Sequence, residues 1–126
     1  MKIVIDLDHT LTAPREGESY AEKSVNEGVV NKLREYRAKG FEICIYTARN
    51  MRTYEESIGK INANTLPVIL EWLNQHEIPY DEIHVGKPWP GTGGFYVDDK
   101  TIRPDEFESL EYEEVVSLLS LEPDAV

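Results

Sequence analysis

The sequence predicts an α/β domain with a mostly parallel sheet. Strand-type and helix-type stretches alternate along the chain, the pattern of strand–helix–strand units. Three of the predicted strand ends also carry polar residues: Asp6 and Asp8, then Thr47, then Asp98 and Asp99. Open parallel sheets bind ligands beyond the carboxyl ends of their strands, so this coincidence places a candidate site on one rim. The 126 residues suffice for one core and not for two, which gives a single domain over 1–126.

The first strand is predicted at about 2–7, in "KIVIDL". A charged loop with Pro14 and Gly17 follows. Ser24 opens a helix, with Glu27 three residues on as its capping-box partner. Val25, Val29, Val30, Leu33 and Tyr36 recur at helical spacing, and Gly40 is the stop. "FEICIYT" (41–47) reads as a buried strand, and 48–64 as a long loop without apolar period. A helix over about 65–76 has Pro67 near its start and Leu66, Ile69, Leu70 and Leu73 on one face. "EIHV" (82–85) and "FYVDD" (95–99) are predicted strands on either side of the loop "KPWPGTGG". A last helix runs about 111–120, with Val115, Leu118 and Leu119 inward.

Composition narrows the function classes. The net charge is −11. Residues 1–63 carry ten basic and ten acidic side chains, whereas 64–126 carry three against fourteen. That balance argues against a nonspecific grip on nucleic acid or anionic membrane. Stretches such as "DEFESLEYEE" are expected to solvate a face. No apolar run approaches the ~20 residues of a membrane helix. "KIVIDLDHTLT" is too short and too acidic for a signal peptide, so the mature chain is expected to start here, in the cytoplasm. Cys44 is the one cysteine and reads as a small buried residue.

If the strands are neighbours, four aspartates meet on one rim and repel one another unless a cation lies between them. A hard divalent ion such as Mg²⁺ suits carboxylates, waters and a phosphate oxygen. A threonine hydroxyl can bind a phosphoryl oxygen, and a lysine can balance its charge. One aspartate can then attack phosphorus while a second moves the proton.

"DLDHT" (6–10), Thr47 in "IYTAR", Lys87 in "GKP" and "VDD" (97–99) resemble, in order, the four motifs of the haloacid dehalogenase superfamily. That resemblance implies a Rossmann-like three-layer sandwich and a Mg²⁺-dependent phosphatase. By position, Asp6 would be the nucleophile forming an aspartyl-phosphate, and Asp8 the general acid/base, its backbone carbonyl also on the metal. Thr47 and Lys87 would hold the phosphoryl group, and Asp98 and Asp99 would complete the metal site with Asp6 and Asp8. Position 9 is His where the family usually has Gly. Lys60, in the long loop, is a rival to Lys87, which is preferred for its place before the last acidic strand.

The intervals Thr12–Ser24 and Ile78–Lys87 leave no room for a cap domain, so a capless core with an open site is expected. His9, Arg49, Arg52 and Trp89 are candidates for substrate contact, the arginines because their forks suit phosphate or carboxylate. Trp72 reads as core, and His76 and His84 as structural. The C-terminal half is similar to small capless members known as capsule-biosynthesis phosphatases, which implies a phosphorylated sugar or polyol. The partners expected are a small phosphorylated substrate, with no nucleic acid and no membrane; an oligomer is left open. Two other readings share these residues: a phosphotransferase or phosphomutase, and a non-catalytic module that binds phosphorylated ligands. A receiver domain would carry its phosphoacceptor where this chain has Thr47, and a dinucleotide site would need glycines after the first strand.

Overall fold

The computed structural model of the chain describes residues 1–122, so 123–126 of the predicted domain lie outside the described residues. The order is β1 (Lys2–Ile5), α1 (Glu27–Ala38), β2 (Glu42–Tyr46), α2 (Ile58–Asn64), α3 (Leu66–Gln75), β3 (Glu82–His84), α4 (Pro104–Ser109) and α5 (Tyr112–Leu119). The three strands form one parallel sheet with β2 in the middle. Ile5 lies beside Ile45 and Tyr46 beside His84, so the strands end on a common rim. This is the α/β core with a parallel sheet that the alternation of elements predicts, in the Rossmann-like form that the resemblance implies.

Strand side chains alternate between faces. Ile3 and Ile5 of β1, Ile43 and Ile45 of β2 and Ile83 of β3 point into one core. Val29, Val30 and Leu33 of α1 meet them there, with Ile69, Trp72 and Leu73 of α3 and Phe107 of α4. Trp72 is buried as the sequence predicts, and its indole N–H donates to the Lys23 carbonyl at 2.8 Å. Trp72→Ala should therefore cost about 3–5 kcal/mol of stability, from a large cavity and an unpaired carbonyl. Denaturant unfolding will measure it, and a loss below ~1 kcal/mol would contradict this packing.

Several predicted elements differ. The helix after the first loop starts at Glu27 with Asn26 as N-cap, because Ser24 is engaged elsewhere. Its hydroxyl and N–H both donate to Glu18, and Val25 pairs with Thr12 in an isolated bridge. No capping box joins Ser24 to Glu27. Part of the predicted loop 48–64 is α2, where the Ser57 hydroxyl caps the Lys60 N–H. Only Ile61 of that helix is buried, too little for an apolar period. A further helix, α4, begins on Pro104 with Glu106 accepting from the Arg103 N–H, inside a stretch read only as a solvated face. Leu118 of α5 is exposed, where an inward position was expected.

The largest difference concerns "FYVDD". Residues 95–99 form no strand, and the sheet has three strands where four were expected. Phe95 and Val97 face solvent. No cap domain is inserted among the described residues; 12–26 is a loop containing a single 3-10 turn at Tyr20–Glu22.

Candidate active site

The chain turns at once after β1. The Leu7 carbonyl accepts the N–H groups of Thr10, Leu11 and Thr12, and Leu7 and Leu11 are fully buried beneath this knot. The turn is thus pinned from inside while Asp6 and Asp8 stay partly exposed above it. His9 has φ of 60°, the left-handed region in which a glycine is unstrained. That explains the family's usual glycine there. The His9 N–H donates to the buried Thr12 hydroxyl at 2.9 Å, which holds the conformation. His9→Gly should keep the fold and stability within ~1 kcal/mol, whereas His9→Val should lose about 1–3 kcal/mol by strain. Thermal melts of both variants will decide, and equal losses would refute the role given to φ.

Asp6 sits between two partners. Its Oδ2 accepts from the Thr10 hydroxyl at 3.3 Å, and its Oδ1 lies 3.9 Å from Lys87 Nζ. Burial pushes the Asp6 carboxyl above the ordinary carboxylate value; Lys87, the Leu7 N–H and Thr10 pull the other way without cancelling it. Asp8 is gripped by Arg49 through a two-point fork, Nε to Oδ2 at 3.0 Å and Nη2 to Oδ1 at 2.7 Å. The Arg49 side chain is almost fully buried and lies 4.2 Å over the ring of Tyr20. Its Nη1 is buried without a partner among the described residues. A fork facing substrate was expected; the structure commits it to Asp8 instead.

Thr47 is buried at the end of β2, its N–H donating to the His84 carbonyl and its carbonyl accepting from the Lys87 N–H. That ladder aligns the loops after β2 and β3, bringing Lys87 beside Asp6. A cleft of about 490 Å³ opens over these groups. Asp6, Asp8, Thr47 and Lys87 line it, and so do His9, Arg49, Arg52 and Trp89. Arg52 lies 5.8 Å from the Trp89 ring centre, a cation against an aromatic face. Lys60 is exposed on α2 and does not line the cleft. Asp98 and Asp99 do not line it either; both are exposed, and Asp98 accepts from the Lys100 N–H.

A family model of haloacid dehalogenase-like hydrolases matches residues 3–75, more than half of the chain. The chain belongs to the haloacid dehalogenase-like hydrolases. A target protein from Vibrio cholerae, known from its crystal structure, is 53% identical to this hydrolase. That likeness covers 94% of this chain and 96% of the other, with a TM-score of 0.91. A chain of the Pnkp1/Rnl/Hen1 complex shares the fold at 22% identity and a TM-score of 0.52, over 86% of this chain and 34% of that one. No curated protein matches this sequence.

Among the lining residues of the hydrolase that escaped sequence reasoning are three that carry a cation or an aromatic ring. Tyr20 and Lys23 come from the first loop, and Tyr96 from the segment expected to be a strand. The Tyr96 ring lies 4.4 Å from Lys87 Nζ, and its hydroxyl donates to the Pro88 carbonyl. None of the three has a spacing that would reveal it; each is recruited by a cation or carbonyl that only the fold brings near. His84 lies outside the cleft, with its Nε2 3.5 Å from the Glu82 carboxylate. The register places it with Cys44 and Glu82 on the sheet, their ligating atoms within 4.8 Å of one another. Among the described residues no such group forms at the cleft.

Proposed function

We propose that this hydrolase is a Mg²⁺-dependent phosphomonoesterase working through an aspartyl-phosphate on Asp6, with a small phosphorylated sugar or polyol as substrate. The observation that carries the reading is a partly buried carboxylate, Asp6, 3.9 Å from the Lys87 ammonium in a cleft that Asp8 also lines. A carboxylate whose charge stays under-compensated at 3.9 Å from an ammonium fits an oxygen-seeking dication. The Asp6 carboxylate and the Asp8 main-chain carbonyl would hold the ion. When bound, Mg²⁺ neutralises phosphate charge and so favours attack by an anion.

In this mechanism Asp6 forms a bond from a carboxylate oxygen to phosphorus as the ester bond breaks. The departing oxygen takes a proton from Asp8. Water then attacks the acyl phosphate and gives its proton back to Asp8, which releases inorganic phosphate and frees Asp6. Lys87 and the Thr47 hydroxyl hold the phosphoryl oxygens throughout. Arg52 and Trp89 at the cleft mouth suit a polar, anionic metabolite, and the cleft volume matches a small one. A phosphatase of soluble sugar phosphates, as in capsule biosynthesis in the cytoplasm, is the setting this implies. No helix among the described residues is long and apolar enough to cross a membrane.

The test is phosphate release from sugar, polyol, nucleotide and aryl phosphates with and without Mg²⁺, together with acid-quenched trapping of a hydroxylamine-sensitive phosphoenzyme. Mg²⁺-dependent release with a trapped intermediate is expected. Transfer to an added sugar hydroxyl in place of water would overturn the hydrolytic reading in favour of a phosphotransferase.

A further inference from the structure

Two parts of the molecule are each incomplete in the same way. β1 pairs with β2 alone, so among the described residues its other edge carries no ladder. Val4 in its middle is 60% exposed, whereas its neighbour Cys44 on β2 is 5% exposed. The second part is Phe95–Asp99, which belongs to no strand or helix and makes no main-chain to main-chain hydrogen bond among the described residues. Phe95 is 79% and Val97 88% exposed. A bare strand edge and a bare apolar strand-forming segment are both liabilities that folded proteins cover.

The segment is held at both ends by its own chain. Tyr96 is fixed against Lys87 and Pro88, while Ile102 and Phe107 pack into the core. So placed, the segment lies off its own sheet, which holds three strands. Lys87 lies at the rim beside Asp6, so Tyr96 is at the rim too. In a ladder parallel to β1 with Asp98 level with Asp6, Tyr96 would lie about 7 Å lower, away from Lys87. In the antiparallel direction, Asp98 and Asp99 would run down and away from the rim.

We propose that a second copy of this chain supplies the missing strand: Phe95–Asp99 of each copy pairs with the free edge of β1 in the other and carries its Asp98 and Asp99 to the partner's Asp6 and Asp8. One reciprocal exchange covers both edges and both apolar segments and closes with two-fold symmetry. No other partner is implied, because the piece the sheet lacks is a piece the chain itself exposes. Each copy carries a net charge of −11, so the contact is apolar and hydrogen-bonded against overall repulsion. Added salt should therefore tighten it. The assignment of Asp98 and Asp99 rests on the proposed phosphatase reading; the exchange itself does not.

The experiment has three readings on the full chain. Light scattering should give twice the 14.4 kDa chain mass, with the dimer strengthened by salt. With Cys44 replaced by Ser, a mixture of Ile3→Cys and Phe95→Cys chains, whose positions are level and on one face when Asp98 is level with Asp6, should form a covalent dimer under mild oxidation, and neither variant alone should. Finally, Asp6→Asn chains co-folded with Asp98→Asn/Asp99→Asn chains should regain activity. Each mixed dimer then holds one wild-type site, or half the activity of a wild-type dimer. A monomer, or an Ile3→Cys/Phe95→Cys chain that cross-links only within itself, overturns the exchange. Cross-linking between copies without regained activity supports the exchange and overturns the role given to Asp98 and Asp99.

Discussion

Asp6→Asn should lower phosphate release by about 10⁴-fold or more while leaving the fold intact. The amide keeps the size and the hydrogen bond from Thr10 but cannot attack phosphorus. Circular dichroism must match the wild type for the loss to count as chemical. The same variant makes a thermodynamic prediction. Burial raises the Asp6 carboxyl above its ordinary value, so in the folded protein its charge is held at a cost. That cost is fully present above the raised folded value and disappears as pH falls below the ordinary value of 3.8. In chelator, then, Asp6→Asn should melt higher than wild type at neutral pH, and the two melting curves should converge under acid. Removing a reactive group from a strained site commonly stabilises the scaffold. A variant that melts lower at pH 7 would mean that Asp6 holds the turn and not the reaction. Retained turnover would remove Asp6 as nucleophile outright.

The parts that sequence made legible and those it hid divide along physical lines. β1, β2 and α3 are written in short-range patterns: apolar runs, a stop glycine at Gly40 with φ of 93°, and Leu66, Ile69 and Leu73 at helical spacing. Asp6, Asp8, Thr47 and Lys87 were legible because each follows a strand end, and parallel strands share a rim. Arg49 was visible as a cation near Thr47, but its true partner was not. Asp8 is 41 residues away, and only the β1–β2 register brings the two together. The 95–99 segment misled for the opposite reason. Phe, Tyr and Val favour strands, yet a strand forms only where an edge accepts it. Here Tyr96 lies against Lys87 and Pro88, and 95–99 pairs with no strand among the described residues. Helix α4 was hidden because Arg103 is an unusual N-cap and one buried residue, Phe107, makes no period. Pro104 followed by Asp105 and Glu106 was the signal that could have found it.

Arg49→Met should cost about 10²–10³-fold in kcat, with a much smaller change in KM. Two nitrogens of the guanidinium hold both oxygens of Asp8, and its face lies on Tyr20 from the 3-10 turn. Arg49 thereby fixes the orientation of the group assigned to move the proton, and misplacing such a group by ~1 Å can cost 10²-fold. It is a positioning residue, acting through Asp8. Arg49→Lys should recover little, because a point charge cannot reproduce a planar two-point fork. The decisive measurement is a double-mutant cycle with Asp8→Asn. If Arg49 works only by placing Asp8, the double variant should be no slower than Asp8→Asn alone. If Arg49 instead binds the phosphoryl group directly, the two losses should multiply and KM should rise. The buried, unpartnered Nη1 sharpens the distinction, since a binding arginine would aim a free nitrogen at the cleft. Here two nitrogens go to Asp8 and the third lies under the surface. The fork therefore serves the acid/base residue, and the loss on removing it should follow the protonation step.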